Sequence, residues 1–179
     1  MSIRLKLTLW YTGLLAVSLV GFSALLYSLI ASVLMSALDD RLAGQAQDVI
    51  KLIQSENDPA AVLLSGRVRL PSIDVFASQY YIQIVQADGR PVQLSENLRN
   101  QELPMPTEMI QEIVLGRARA YTIQTGGARL RVVSVPLIVA RRAVGAVQVA
   151  QSLSLIEDAL RVIGTVMLFG GVLALLLAA

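Results

Sequence analysis

Two long apolar segments lie at the ends of this chain and constrain its fold more than any other feature. Residues 7–38 contain no charged side chain over 32 positions, and residues 162–179 contain none over a further 18. An α-helix of about 20 apolar residues spans the hydrocarbon core of a bilayer. We therefore predict a cytoplasmic segment at residues 1–8, a transmembrane helix over residues 9–35 and a second, truncated transmembrane helix over residues 162–179.

The charges beside the first apolar segment predict its orientation. Arg4 and Lys6 precede the segment, whereas Asp39 and Asp40 follow it directly. Basic residues that flank a membrane helix remain on the cytoplasmic side. We therefore expect a cytoplasmic amino terminus and an extracytoplasmic segment comprising residues 39–161. A cleaved signal peptide is the alternative, but the apolar core of a signal peptide is only about 7–15 residues long.

The segment between the apolar ends has balanced charge and lacks two reactive residue types. It contains 13 basic and 13 acidic residues, so it offers no basic surface for nucleic acid. The chain has no cysteine and no histidine. Thiolate and imidazole metal ligands, cysteine nucleophiles and Ser-His-Asp triads are therefore excluded. We expect no catalytic residue, metal or cofactor in this chain.

Helical periodicity continues beyond the first apolar segment. Between residues 36 and 56, apolar side chains recur at spacings of three and four, at Leu38, Leu42, Ala46, Val49, Ile50 and Ile53. The sequence Asn57-Asp58-Pro59 predicts the end of this helix. The apolar stripe is suited to cover the core of the outer domain or to form a dimer seam, and the pattern leaves both interpretations open.

The region from residue 79 to residue 150 has the composition of a β-sheet. Its apolar segments are rich in β-branched and aromatic residues, and Asp88-Gly89 and Gly126-Gly127 are typical of tight hairpin turns. A short helix is predicted at residues 107–115. The predicted strands are residues 79–86, 91–94, 120–125, 129–135 and 143–150. These elements predict an α+β fold with a five-stranded antiparallel sheet and a long N-terminal helix.

The outer segment 36–161 ends in a predicted helix that leads into the second apolar segment. Ser154-Leu155-Ile156-Glu157 matches a capping box, in which the serine and glutamate side chains satisfy two backbone N–H groups at a helix start. We predict an exit helix over residues 154–161 that continues directly into residues 162–179. The sheet would then be joined to the membrane helix by a rigid element.

Four residues are candidates for ligand binding. Tyr80 and Tyr81 lie on opposite faces of a predicted strand, whereas Arg129 and Arg131 share one face of another. Guanidinium groups bind carboxylate or phosphate with two parallel hydrogen bonds. The alternative is that the tyrosines pack and the arginines pair with acidic residues. Three acidic residues near the membrane are a less favoured site for Ca²⁺ or Mg²⁺, because adjacent helical residues face different directions: Asp39, Asp40 and Asp48.

The order of these segments resembles the sensor input region of bacterial two-component histidine kinases. Residues 2–11 are similar to the start of the first membrane helix in that family. Tyr81-Ile82-Gln83-Ile84-Val85 with Asp88-Gly89-Arg90 resembles the central hairpin of its PAS-like outer domains, which are also called PDC or Cache-like. Residues 129–136 and 145–153 resemble the closing strands and the exit into the second membrane helix.

The resemblance implies a sensor module in a bacterial inner membrane. The module would be a homodimer in contact with membrane lipids, and it would pass a small-molecule or protein stimulus to a cytoplasmic kinase. The resemblance places the phosphorylated histidine and the ATP- and Mg-binding domain after residue 179, so this chain would not itself be an enzyme, while the full-length parent would be a histidine kinase. The alternatives are the input region of a chemoreceptor or cyclic-dinucleotide enzyme, and a non-signalling, membrane-anchored binding protein.

Overall fold

The computed structural model describes residues 3–55, 80–99 and 101–178. In these ranges the elements are α1 (Ile3–Gln54), β1 (Tyr81–Gln86), β2 (Pro91–Leu94), α2 (Thr107–Val114), β3 (Arg119–Thr125), β4 (Ala128–Val139), β5 (Arg142–Ser152) and α3 (Ser154–Ala178). A 3-10 turn covers Glu96–Leu98. The predicted break at residues 57–59 lies outside the described residues. The chain divides into one compact unit of Met1–Ser36 with Ser154–Ala179 and a second of Ala37–Leu153.

Both long helices run without a break across the boundaries of the predicted segments, as the sequence indicated. The predicted membrane helix at residues 9–35 and the predicted helix at residues 36–56 form the single helix α1, which ends at Gln54. The predicted exit helix and the second apolar segment likewise form the single helix α3, which begins at Ser154. Uninterrupted helical periodicity without proline explains both continuities.

The unit Ala37–Leu153 contains the predicted five-stranded antiparallel sheet. The strand order is β2-β1-β5-β4-β3, and every neighbouring pair is antiparallel. β4 and β5 are longer than predicted because both continue to a tight turn at Ala140 and Arg141. These two residues have φ angles of 49° and 65°. Type I′ hairpin turns require positive φ at both central residues, and the absence of glycine and asparagine here concealed the turn in the sequence.

One face of the sheet, which we call the α1 face, is covered by the outer part of α1. The buried positions of this part are those of the predicted stripe: Leu38, Leu42, Ala46, Val49, Ile50 and Ile53. Ile82, Val149 and Val133 form a row of cross-strand neighbours on this face, and all three are buried. The stripe therefore covers the core of the domain, which was the first of the two interpretations.

Two contacts join α1 to β4 along the α1 face. The Arg131 guanidinium pairs with the Asp39 carboxylate, and the Gln54 side-chain amide donates to the Ile138 carbonyl oxygen at 3.3 Å. The helical rise from Asp39 to Gln54 is about 22 Å, and the strand rise from Arg131 to Ile138 is about 23 Å. The equal lengths show that α1 and β4 run side by side in the same direction.

The opposite face of the sheet, which we call the loop face, is covered by the described loop residues 95–99 and 101–106 and by α2. Buried apolar side chains from the loop and the strands form one cluster here: Leu98, Leu103, Ile123, Leu130, Val132 and Ala150, with Tyr81, Leu94 and Tyr121 packed against it. A second cluster joins α2 to the sheet through Ile113, Val85 and Ala146. Each fully buried large apolar side chain stabilises the fold by about 1.5–3 kcal/mol.

The unit formed by Met1–Ser36 and Ser154–Ala179 is a pair of apolar helical segments. Both helices are long and apolar enough to cross a bilayer. They contact each other where glycine permits close approach: a Cβ atom at Gly171 would lie 3.2 Å from Leu19 Cδ2, and one at Gly164 would lie 3.8 Å from Tyr27 Cε2. Gly171 lies beside Leu19, whereas the earlier Gly164 lies beside the later Tyr27. The two segments are therefore antiparallel.

Candidate functional site

A bidentate ion pair of the sheet unit joins β4 to the incoming helix α1. Arg131 Nε and Nη2 donate to the two carboxylate oxygens of Asp39 at 2.7 and 2.6 Å. This is the bidentate arrangement that makes guanidinium–carboxylate pairs strong and directional. The Asp39 hydrogen bond is the main cause that raises the pKa of Arg131. Arg131 Nη1 also donates to Thr122 Oγ1 at 3.1 Å, which orients the guanidinium from β3.

The ion pair is shielded from solvent because both partners extend from packed elements. The side chains of Arg131 and Asp39 are only 18% and 26% exposed. Asp39 follows the buried Leu38 on α1, and Arg131 lies between the buried Leu130 and Val132 on β4. The structure therefore places the predicted candidate Arg131 against an acidic residue of the same chain, 92 positions away.

Arg129 contributes its backbone to the same end of the sheet. Its carbonyl oxygen accepts a hydrogen bond from the Leu153 amide at 2.9 Å, and its side chain is exposed. Leu153 is the last residue before α3, and its side chain is buried. β4 therefore contacts the incoming helix through Arg131 and the outgoing chain through Arg129.

The two candidate tyrosines have different environments. Tyr80 is buried just before β1, and its carbonyl oxygen accepts a hydrogen bond from Asn97 Nδ2 at 2.6 Å. Tyr81 is half-buried and packs in the cluster of the loop face. The structure does not bring Tyr81 together with Arg131, which belongs to the α1 face. Ligand binding by Tyr80, Tyr81, Arg129 and Arg131 stays a prediction.

A buried amide network on the loop face was missed by sequence reasoning. Gln83 and Gln148 are cross-strand partners on β1 and β5, at 2% and 0% exposure. Gln83 Oε1 accepts from the Leu103 amide at 2.7 Å, while Gln83 Nε2 donates to the Leu103 carbonyl oxygen at 3.2 Å and to Gln148 Oε1 at 2.9 Å. Gln83 therefore binds the loop to the sheet with one donor and one acceptor, as the backbone of a neighbouring strand does.

The network extends across the sheet to β3. Gln148 Nε2 donates to the Tyr121 hydroxyl at 2.7 Å. Desolvation by burial raises the pKa of Tyr121 well above its usual range, so the phenol stays neutral. Ser134 is the cross-strand partner of Gln148 on β4, and among the described residues its buried Oγ has no hydrogen-bond partner.

One sequence signal pointed to this network. Gln83 and Gln148 each stand between two β-branched residues in the middle of a strand, and in both cases the neighbours are buried too. A polar residue in a strand that is buried on both faces needs a hydrogen-bond partner, so these two positions should have been paired with each other.

Two of the three acidic residues considered for a cation site form ion pairs. Asp39 is bound by Arg131, and Asp48 pairs with Lys51 on the exposed side of α1. Within residues 3–55, 80–99 and 101–178, no group of three or more acidic residues has a geometry suited to a metal ion.

Comparison with known families shows to which family the chain belongs. Residues 14–163 match the model of a family described as the N-terminal region of two-component sensor kinases. The chain belongs to this sensor kinase family. The match covers both apolar helices in part and the sheet unit in full, and it confirms the resemblance to a sensor input region. Family membership assigns the chain to the non-catalytic, sensing part of such kinases.

Two solved structures share the fold of this sensor region. The ligand-binding domain of the Pseudomonas aeruginosa PAO1 amino acid chemoreceptor PctC, solved in complex with GABA, has a TM-score of 0.51 and 14% identity over 78% of this chain and 63% of that one. The sensor domain of the V. cholerae histidine kinase DctB has a TM-score of 0.52 and 15% identity over 83% and 60%. The chain thus spans less than two thirds of either structure. Its sequence matches no curated protein.

Proposed function

We propose that this chain is the transmembrane signal-input module of a two-component histidine kinase in a bacterial cell membrane. Residues 39–161 lie outside the cytoplasm, and the kinase domains follow residue 179. The observation that carries the proposal is the continuity of α1, which runs from its apolar half into the sheet unit without a break. At the other end, Leu153 alone separates β5 from α3.

The sheet unit is joined rigidly to α1 at one end and to α3 at the other, which explains how a stimulus would reach the kinase. A change in the sheet unit that moves α1 relative to the outgoing strand also moves the membrane halves of α1 and α3. A ligand shifts such an equilibrium only by its differential affinity for the two states. A coupling of about 1–3 kcal/mol is typical of useful switches.

An insertion tests this rigid transmission. Gly-Gly placed after Leu155 breaks the first turn of α3, whereas Gly-Gly placed in the exposed Gly126-Gly127 turn only lengthens a hairpin. Autophosphorylation by the full-length parent is measured with ATP in membrane vesicles. We expect the first insertion to give the rate of a parent that lacks residues 37–153, and the second to keep the wild-type rate. A wild-type rate after the first insertion would contradict rigid transmission.

A chemoreceptor input region is the second candidate function. The TM-scores to the PctC and DctB domains are nearly equal, at 0.51 and 0.52, so the fold supports both output types alike. The residues encoded after position 179 separate the two. A histidine-bearing dimerisation helix and an ATP-binding domain support the kinase, and a long helical hairpin without them supports the chemoreceptor.

The apolar helices support a homodimer. The antiparallel pair formed by α1 and α3 leaves an apolar groove of about 370 Å³ between the two helices, with Ser23 and the glycines Gly164 and Gly171 among its lining residues. Small residues let membrane helices approach closely. Single cysteines placed along residues 17–33 of this cysteine-free chain should cross-link between two copies with helical periodicity. Uniform or absent cross-linking would contradict the dimer.

A further inference from the structure

We propose that three consecutive residues of β4 form a clamp that holds both the helix entering the sheet unit and the strand leaving it. Opening of the ion pair in this clamp separates two signalling states. The β4 clamp consists of Arg129, Leu130 and Arg131. The signalling part of this inference rests on the proposed function, whereas the clamp itself is a property of the sheet unit alone.

The first half of the β4 clamp holds the incoming helix. The two hydrogen bonds from Arg131 to Asp39 are short, charge-assisted contacts between the sheet and α1, at 2.7 and 2.6 Å. Asp39 lies only three residues beyond Ser36, where the unit of apolar helical segments ends. The ion pair therefore acts on α1 at the membrane end of its outer part.

The second half of the β4 clamp holds the outgoing chain. Leu130 is the cross-strand partner of Ser152, and Arg131 is the partner of Gln151. The Arg129 carbonyl oxygen accepts from the Leu153 amide at 2.9 Å, one residue before α3 begins. Three neighbouring residues of one strand thus fix both the helix that enters the sheet unit and the strand that leaves it.

Among the described residues, the polar contact at the far end of α1 is the weaker one. Gln54 donates one neutral hydrogen bond of 3.3 Å to the Ile138 carbonyl, and this contact is exposed. At the near end, two charge-assisted bonds are shielded from solvent. The ion pair therefore fixes the position of the outer part of α1 on the sheet at the end nearest the membrane. Loss of the ion pair frees this end of the helix.

The chemistry of the clamp suits a reversible contact. A partly buried ion pair gains Coulomb attraction but loses hydration, so its formation is close to balanced in free energy. The buried apolar side chains of α1 hold the helix on the sheet in either state, while the ion pair selects its position. A stimulus therefore needs only a small differential affinity to open the clamp.

A distance measurement tests the clamp without reference to any kinase. The chain has no native cysteine, so spin labels at Gly44→Cys on α1 and Gln124→Cys on β3, both exposed positions, report one distance. The labelled 179-residue chain in lipid nanodiscs should show one narrow distance distribution. Asp39→Asn should add a second population. The matched control is Asp48→Asn, which breaks the exposed ion pair with Lys51 on the same helix and should change nothing.

The reversed pair Asp39→Arg with Arg131→Asp distinguishes a lost ion pair from general damage. We expect it to restore the single distance population. In the full-length parent, Asp39→Asn should change the autophosphorylation rate at least about fivefold, the low end of typical coupling, and the reversed pair should return it to within twofold of wild type.

The outcomes separate the clamp from the proposed function. Equal distance distributions for Asp39→Asn and Asp48→Asn overturn the clamp, even in a parent that is a kinase. A changed distance with an unchanged phosphorylation rate overturns its role in signalling. A wild-type parent that incorporates no phosphate overturns the proposed function, and the distance measurement then still decides whether the clamp exists.

Discussion

Gln83 and Gln148 are direct cross-strand neighbours on β1 and β5, and the side-chain amide of the first donates to the side-chain oxygen of the second at 2.9 Å. Both side chains are almost fully buried. The remaining groups of Gln83 bind the backbone of Leu103. Gln83 therefore joins the sheet to the loop on this face through both backbone groups of Leu103.

We expect Gln83→Ala to release this loop. The substitution leaves the Leu103 amide and Gln148 Oε1 without their partner, and an unsatisfied buried group costs about 1–3 kcal/mol. Hydrogen exchange of the whole chain in detergent should show faster exchange of the Leu103 amide. Gln124→Ala, an exposed position on β3, is the control and should leave the exchange of Leu103 unchanged. Equal exchange in both variants would show that the apolar cluster alone holds the loop.

The buried phenol of Tyr121 should titrate at unusually high pH. Burial raises its pKa, so the folded protein keeps the proton above pH 10, where a tyrosine in the unfolded chain ionises. The stability contributed by this group is therefore complete below about pH 10 and falls as the pH rises further. The absorbance difference at the tyrosinate band between wild type and Tyr121→Phe should stay flat through pH 10. A step centred at pH 10 would show that the phenol is hydrated.

We expect Gly145→Ala to disrupt the centre of the sheet. A Cβ atom at Gly145 would overlap the backbone carbonyl oxygen of Val85 on the neighbouring strand, so the strands must separate locally. Overpacking of this kind costs about 1–3 kcal/mol. Gly44→Ala is the matched control, because nothing lies within 4 Å of its added methyl group.

The control substitution should stabilise α1 by about 0.5–1 kcal/mol, since alanine is favoured over glycine inside a helix. Thermal unfolding of the two variants in the same detergent compares them directly. A Gly145→Ala midpoint at or above that of wild type would mean that β1 and β5 shift at little cost.

The proposed orientation makes Gln124 accessible from outside the cell. A cysteine at this exposed position should react in intact cells with a maleimide that does not cross the membrane. A cysteine at Ser2 should react only after the membrane is opened, since the proposed orientation, inferred from the basic residues Arg4 and Lys6, places the amino terminus in the cytoplasm. The reverse labelling pattern would place the sheet unit in the cytoplasm and refute the proposed function.

Local signals in the sequence predicted the elements of the sheet. The turns at Asp88-Gly89 and Gly126-Gly127 lie where expected, because glycine supplies the positive φ of a hairpin within four residues of chain. Gly89, Gly126 and Gly127 all have positive φ. The turn at Ala140 and Arg141 was missed, since neither residue favours positive φ by itself. There the pairing of two long strands imposes the backbone conformation.

The contacts of the candidate site depended on distant parts of the chain. Arg131 was a candidate either for an external ligand or for pairing with an acidic residue, and Asp39 was considered for a cation. The local sequence could not pair these two residues with each other, because the contact crosses 92 positions. No local pattern encodes the strand order β2-β1-β5-β4-β3 that brings Gln83 beside Gln148. Such pairings follow from how the faces of the sheet are covered.

Composition and local periodicity were enough to predict the two apolar helices, the number of strands and the absence of cysteine and histidine chemistry. These properties depend on composition and on neighbours a few residues apart, where periodicity and turn preferences act. Which polar side chains are buried, and which partners they bind, followed from the packing of the whole chain. A buried polar group must find its hydrogen bond wherever the packed chain supplies one, and that choice is made by the whole fold.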